Sequence, residues 1–389
     1  MYAKPQATAP NPAPARPDIY TVVTHVRTGR GPAPTQTGAA DNLVDVVTTK
    51  ASPLPARGST RSSSAPPSPA ALGDAAARLT DRDHDVLASL ALVRVLTNPQ
   101  IARLWFRSER TGEPGAIAGR HRMLKLAELG VVHGFRPLRP GGGSHPVHYA
   151  LTPLGAHIAA TARGADPEPA RRAAKSALER IAAGRAYITH AVGVSALYVG
   201  LRIGQRDGLG EIERWYPHAE TEGLYKSRRL VPDALTIWRP AGARRRIGIA
   251  LEVDAGTERL AVIEDKARRY WHGHTGSSYS RDALEYDLGR DFPPLLLVTA
   301  PSSGREHSLA GAVDRAVRAE RLGILRERQA EESRRAERFA EVPALLADDG
   351  RALPGATAVW GPDADPLAPI WRPLGAVENV RLALAELGR

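Results

Sequence analysis

The run Ile247-Gly-Ile-Ala-Leu-Glu-Val-Asp254 constrains the fold more than any other stretch of the chain. It is apolar at successive rather than alternate positions, so the strand it predicts is covered on both faces, as in the middle of an α/β sheet. Glu252 lies inside this strand. A second acid, Asp233, follows a proline in Leu230-Val-Pro-Asp-Ala, just ahead of another predicted strand. Two carboxylates delivered by neighbouring strands can hold one divalent cation against a phosphodiester, because hard cations prefer oxygen ligands and a bound metal activates water. The structural alternative places Asp233 in a turn and pairs Glu252 with an arginine.

The surrounding pattern predicts a mixed α/β domain over residues 178–326. A helix from Leu178 to Gly200 is followed by strands at Ile212 to Glu220, Ala234 to Arg239 and Arg246 to Val253. Then come a helix from Thr257 through Tyr270, a buried strand in Pro294-Leu-Leu-Leu-Val-Thr299 and a helix from Leu309 to Leu325. The last crossover is parallel. Residues 164–177 form a linker rich in Ala and Arg. Residues 327–389 begin with charges alternating in sign on a helix, a solvated face or a short coiled pairing that would allow a homodimer. The tail beyond carries Trp360 and Trp371, expected in short strands packing back on the α/β domain before a last helix.

Residues 1–77 are dominated by Pro, Ala, Ser, Thr and Gly and are expected to be a disordered arm, in which Leu43 to Val47 has strand character but no partner beside it. Order begins near Arg78. Thr80 caps a helix with Val86, Leu87, Leu90 and Val93 on its apolar side, and Thr97 caps a second with Ile101, Leu104 and Trp105. A third helix runs from about Pro114 to Leu129, with Ile117, Met123, Leu124, Leu126 and Leu129 available for the core and Gly130 ending it. Val131 to Leu138 and Val147 to Leu151 then alternate as a hairpin, and Thr152 caps another helix.

Three helices followed by a hairpin over residues 78–163 is the winged helix-turn-helix arrangement, whose third helix enters the major groove. Arg120, His121, Arg122 and Lys125 supply the exposed side of that helix, and Arg107, Arg110, Arg136 and Arg139 flank the groove. Arg122, as a base reader, would be worth about 1–3 kcal/mol of DNA affinity. This segment carries +6 of the formal +11 of the chain, and phosphate contacts by Arg and Lys gain free energy through counterion release. Double-stranded DNA is the expected partner; use of the same module for protein docking is the alternative.

The chain has no cysteine, which excludes disulfides and thiol catalysis. No apolar run reaches the roughly 20 residues that span a bilayer, and no basic start with an apolar stretch precedes a cleavage site, so a cytoplasmic protein without membrane contact is expected. The Gly-x-x-x-x-Gly-Lys-Ser/Thr phosphate loop is missing, which argues against a helicase-like ATPase. His272-Gly-His274 has metal-like spacing in a stretch expected to be a loop, and His145-Pro-Val-His148 lies at the wing. Tyr270 and Tyr279 are more simply packing residues than nucleophiles.

That order of elements, with Pro232-Asp233 on the second strand and Glu252 on the third, resembles the PD-(D/E)xK restriction-endonuclease-like superfamily. More narrowly, Leu79-Thr80, Leu96-Thr97, Gln100, Arg122, Leu129-Gly130, His148-Tyr149, Leu151-Thr152 and Gly155, together with Leu251-Glu-Val-Asp-Ala-Gly-Thr-Glu258, resemble the replication-relaxation family of plasmid and integrative-element proteins. The resemblance covers roughly Arg78 to Leu325. It implies a DNA-binding protein of plasmid replication or mobilisation, a relaxase-like nickase using Mg2+ or Mn2+, with other replication or transfer proteins as partners. The superfamily places a lysine two positions after the third-strand acid. Here that position is Asp254, and Lys266 on the following helix is the replacement. In this reading Asp233 and Glu252 bind the metal, Asp254 or Glu220 completes its shell, and Lys266 stabilises developing charge. A non-catalytic DNA-binding regulator with a degenerate nuclease domain is the competing reading.

Overall fold

The computed structural model describes residues 52–53, 67–108, 111–139, 143–216, 221, 230–244, 246–256, 258–275, 295–299, 304–339, 355–359, 364–368, 371–374 and 381–386. The strand-like stretch at Leu43 to Val47 lies outside them. Within the expected arm, two short elements are formed. Ser52–Pro53 (β1) pairs with the hairpin described below, and Pro69–Ala76 (α1) is a helix capped by Ser68, whose hydroxyl accepts from the N–H of Ala71 at 3.2 Å. Pro69 at the first helical position and the alanines after it suffice for this short turn of structure.

Helices α2 (Asp81–Val93), α3 (Asn98–Trp105) and α4 (Ala116–Glu128) follow. Thr80 and Thr97 each cap through a reciprocal box, Thr80 with Asp83 and Thr97 with Gln100, satisfying amides the first turn leaves open. Between them Leu96–Thr97 (β2) pairs with His148–Leu151 (β4), which pairs in turn with Val132–Arg136 (β3). The four strands form an antiparallel sheet in the order β1-β3-β4-β2. Helix α5 (Pro153–Thr161) is capped by Thr152, and its Gly155 lies against the chain where α4 turns into β3: a Cβ there would stand 1.9 Å from the carbonyl oxygen of Val131.

The single helix expected from Leu178 to Gly200 is two, α6 (Pro167–Ala183) and α7 (Arg185–Arg206), broken at Gly184. By length and composition α7 could cross a membrane, but most of its apolar stretch is buried. Its buried side meets the second sheet, and it comes close at Gly193, where a Cβ would lie 2.6 Å from Val253. On the side of α2 and β2, Tyr198 hydrogen-bonds Ser89 at 2.8 Å and Ser195 donates to the carbonyl of Val95.

That second sheet is mixed and six-stranded. Strands β5 (Gly210–Tyr216), β6 (Ala234–Pro240) and β7 (Ile247–Asp254) are antiparallel; β8 (Leu295–Thr299) and β9 (Gly355–Val359) continue parallel to β7, and β10 (Arg372–Pro373) closes the edge in the order β10-β9-β8-β7-β6-β5. The expected tail thus supplies two strands of the sheet. Every residue of β7 and β8 is buried. Leu251, Val253, Leu296 and Val298 join a core shared with α2 to α5 and α7. Ala250, Leu295 and Leu297 face α8 (Leu260–Thr275) and α9 (Arg305–Phe339), where Ile263, Ala267, Tyr270, Leu309 and Val313 complete a separate core. His272 and His274, expected in a loop, fall in the last turn of α8.

Candidate functional site

Asp233 stands one residue before β6. Its N–H donates to the carbonyl of Leu251 at 2.9 Å, and its Oδ2 accepts the N–H of Val253 at 2.8 Å, so it prolongs the β6–β7 ladder past the Ala234–Leu251 pair. Carrying that register one step further sets Asp233 opposite Glu252, which is how neighbouring strands bring the two carboxylates together. The same Oδ2 lies 3.2 Å from Nδ1 of His190 on α7. Burial raises the Asp233 pKa, but the His190 hydrogen bond and charge outweigh it and hold the carboxyl below its usual value. Asp233 correspondingly raises the pKa of His190.

Glu252 is 2% exposed on the sheet face that meets α8. Lys266 and Tyr270, one helical turn apart on α8, both reach it: Nζ of Lys266 donates to Oε2 at 3.0 Å and the Tyr270 hydroxyl to Oε1 at 3.2 Å. Lys266 also donates to Oε1 of Glu258 at 3.2 Å. Burial pushes the Glu252 carboxyl up to about 7; Lys266 opposes that rise and the nearby Asp233 reinforces it. Lys266 is held protonated: burial lowers its pKa, and the charges of Glu252 and Glu258 more than reverse this. The second oxygen of Glu258, Oε2, is buried without a hydrogen-bond partner. Three carboxylates therefore crowd one ammonium, with His190 at the edge.

Asp254, expected to complete a metal shell, has other partners. Arg305 at the start of α9 grips it with two hydrogen bonds, Nε to Oδ2 at 2.7 Å and the second nitrogen to Oδ1 at 3.0 Å, and Thr299 donates at 3.1 Å. The Asp254 side chain is 0% exposed, so this pair ties β7 to β8 and α9 rather than presenting an oxygen to a ligand. Glu220 lies outside the described residues.

Asp233 and Glu252 fit a hard dication in donor type, and Glu252 already has the Lys266 ammonium beside it at 3.0 Å. Among the described residues no group of three or more His, Cys, Asp or Glu side chains is arranged to hold an ion. A two-carboxylate set leaves the other positions to water and phosphate oxygens, which suits Mg2+, an ion that keeps several waters.

Residues 87–280 match the model of the replication-relaxation family. The chain belongs to that family. The matched segment runs from within α2 past the end of α8 and so contains α3 to α8, the hairpin, Asp233, Glu252 and Lys266; Arg305 falls beyond it. Comparison with curated proteins and with solved structures gives no match. Membership supports a role in replication or mobilisation.

The basic residues of the N-terminal half separate into two groups. On α4, Arg120, His121 and Lys125 are exposed, as is Arg139 on the hairpin; Arg136 is half-buried and Arg110 lies outside the described residues. Arg107 is exposed, but its Nε donates to the carbonyl of Gly112, closing the turn between α3 and α4. Arg122 corrects the expectation of a base reader. Its Nε donates to Oδ1 of Asp83 at 2.8 Å, its terminal nitrogen pairs with Oδ2, and the same nitrogen donates to the carbonyl of Arg78 at 3.1 Å. Asp83 is fully buried and also caps Thr80, so Arg122 fastens α4 to the start of α2. Replacing Arg122 with alanine is expected to cost about 3 kcal/mol in urea unfolding, the low end for breaking a buried ion pair. A change below about 0.5 kcal/mol would return Arg122 to the surface role. At the hairpin, His148 packs against Phe135 and is buried; burial drives its pKa down to about 4, so it stays neutral.

Sequence reasoning missed His190, Glu258 and Arg305 as members of these clusters. The spacing of Lys266 and Tyr270 by one turn was the available signal for Tyr270; His190 and Arg305 arrive from elements 43 and 51 residues away from their partners and left none.

Proposed function

We propose that this protein binds double-stranded DNA through α4 and the β3–β4 hairpin, as a winged helix does, and nicks it at a PD-(D/E)xK-like centre made by Asp233, Glu252 and Lys266. The observation that carries the reading is Lys266 within 3.0 Å of Glu252, delivered from α8 in a chain that has Asp254 where the superfamily pattern has its lysine. Asp233 and Glu252 would hold the ion, which when bound supplies positive charge to a phosphodiester oxygen and to the attacking water. Lys266 keeps its proton and so acts as a fixed charge rather than a base, stabilising negative charge as it develops. His190 fixes the Asp233 carboxylate from α7.

The site lies at the carboxyl end of β7, beside the parallel pair β7–β8, where open α/β sheets generally bind ligands. Exposed Arg120, His121 and Lys125 give α4 the charge to approach phosphates. Arg120→Ala and Lys125→Ala are each expected to weaken duplex binding and to lower the slope of log K against log salt by about 1 per lost phosphate contact. A salt-independent isotherm would transfer the module to protein docking.

A second reading, a non-catalytic accessory factor of replication or transfer, is favoured by the engagement of Asp254 with Arg305, which removes one acid from the expected shell. Purified protein incubated with supercoiled DNA and Mg2+ or Mn2+ separates the two. Metal-dependent conversion to open circles supports the nickase; a footprint with no scission in either metal supports the accessory factor.

A further inference from the structure

Ile117 and Leu124 are 74% and 38% exposed, although an aliphatic side chain on α4 is expected in the core. The helix is not misplaced: Gly119, Met123 and Leu126 on its other side are buried, and Gly119 packs against the Phe106 ring. At 100° per residue, positions 117 and 124 fall on one line along the outward face. Arg120 lies to one side of that line and His121 and Lys125 to the other, all exposed. An apolar stripe between cationic flanks suits a surface that is anionic at its margins and locally apolar at its centre. The major groove of DNA has this character where the C5-methyl of thymine projects between the phosphate strands.

We propose, resting on the DNA-binding reading above, that Ile117 and Leu124 each cover a thymine methyl group in the duplex target. Seven residues at 1.5 Å per residue separate the two side chains by about 10 Å, equivalent to about three base-pair steps at 3.4 Å. The target therefore carries two thymines about three steps apart beneath α4, while Arg120 and Lys125 hold the flanking phosphates. The stripe contributes sequence preference and the cations contribute affinity.

The test starts from duplexes selected by the full chain from a random-sequence pool. Each thymine of the selected duplex is replaced singly by deoxyuridine, which removes only the methyl group. Two replacements about three steps apart are expected to weaken binding about fourfold each, the worth of one buried methyl. Ile117→Ala is expected to abolish sensitivity at one of these positions and Leu124→Ala at the other, with unchanged melting temperature because both side chains are on the surface. Equal binding of thymine and deoxyuridine duplexes by the wild type, or sensitivity untouched by either variant, overturns the proposal. So does a dimer that both variants convert to monomer while deoxyuridine has no effect, which would assign the stripe to a second copy of the chain. Failure to enrich or bind any duplex would instead overturn the DNA-binding reading itself, a result distinct from binding without methyl sensitivity.

Discussion

Asp233→Ala is expected to lower magnesium-dependent nicking of supercoiled DNA at least about 100-fold, the equivalent of roughly 3 kcal/mol in the barrier. Asp233 is one of the two carboxylates that adjoining strands bring together in this cluster. Asp254 is occupied by Arg305, and Glu258 shares Lys266 with Glu252. The carboxylate also accepts the N–H of Val253, so alanine leaves an unfilled amide at the end of the β6–β7 ladder. Asp233→Asn is the companion variant: it keeps an acceptor for that N–H while losing the charge that draws in a cation. Nicking is expected to fall equally in both variants, with the melting temperature closer to wild type in the asparagine form. Full activity in Asp233→Asn would remove this carboxylate from metal binding.

Arg305→Met is expected to destabilise the fold by about 3–5 kcal/mol at pH 7, because it leaves the carboxylate of Asp254 buried and uncompensated. Arg305 makes two hydrogen bonds to Asp254 and a third, at 2.6 Å, to the carbonyl of Glu258, so one guanidinium holds together the ends of β7 and α9 and the turn that leads to α8. The pH dependence has a definite sign. Burial raises the pKa of Asp254, but the hydrogen bonds and charge of Arg305 outweigh it and keep the folded value below 3.8. This group therefore adds stability above pH 3.8 and loses it as pH falls through its folded value. Without Arg305, burial is opposed only by the hydrogen bonds from Gly256 and Thr299, so the folded pKa rises and protonation relieves the variant. The gap between wild type and variant in urea unfolding is thus expected to be widest near neutrality and to shrink toward pH 4. An unchanged gap would mean that Asp254 finds another partner.

Local signals in the sequence locate most of the elements. Thr80, Thr97 and Thr152 start the helices where they are expected, because an N-cap is decided within three residues of chain. The run from Ile247 to Asp254 lies fully buried in the middle of its sheet for the same reason it could be recognised: its apolar residues do not alternate. Partnerships across the fold were much less legible. Arg122 sits next to the exposed side of α4, and only an acid 39 residues earlier turns it inward. Asp254, two residues after Glu252, shares its face of β7, yet Arg305, 51 residues on, claims it. Ile117 and Leu124 look like core residues to any hydrophobicity pattern, because the pattern does not say which side of α4 meets Phe106. The tail that supplies β9 and β10 contains turn residues and isolated tryptophans, and its place in the sheet follows from pairing with β8 rather than from its own periodicity.

Lys266 offers the most direct test of the central claim, that an acid pair from two strands and a lysine from α8 form one nicking centre. The measurement is single-turnover nicking of supercoiled DNA by wild type and Lys266→Met across a magnesium titration, with chelator as the zero point. The account predicts scission only with the ion present and a loss of at least about 100-fold in the variant at saturating magnesium. Scission in chelator, or equal rates for wild type and Lys266→Met, would contradict it.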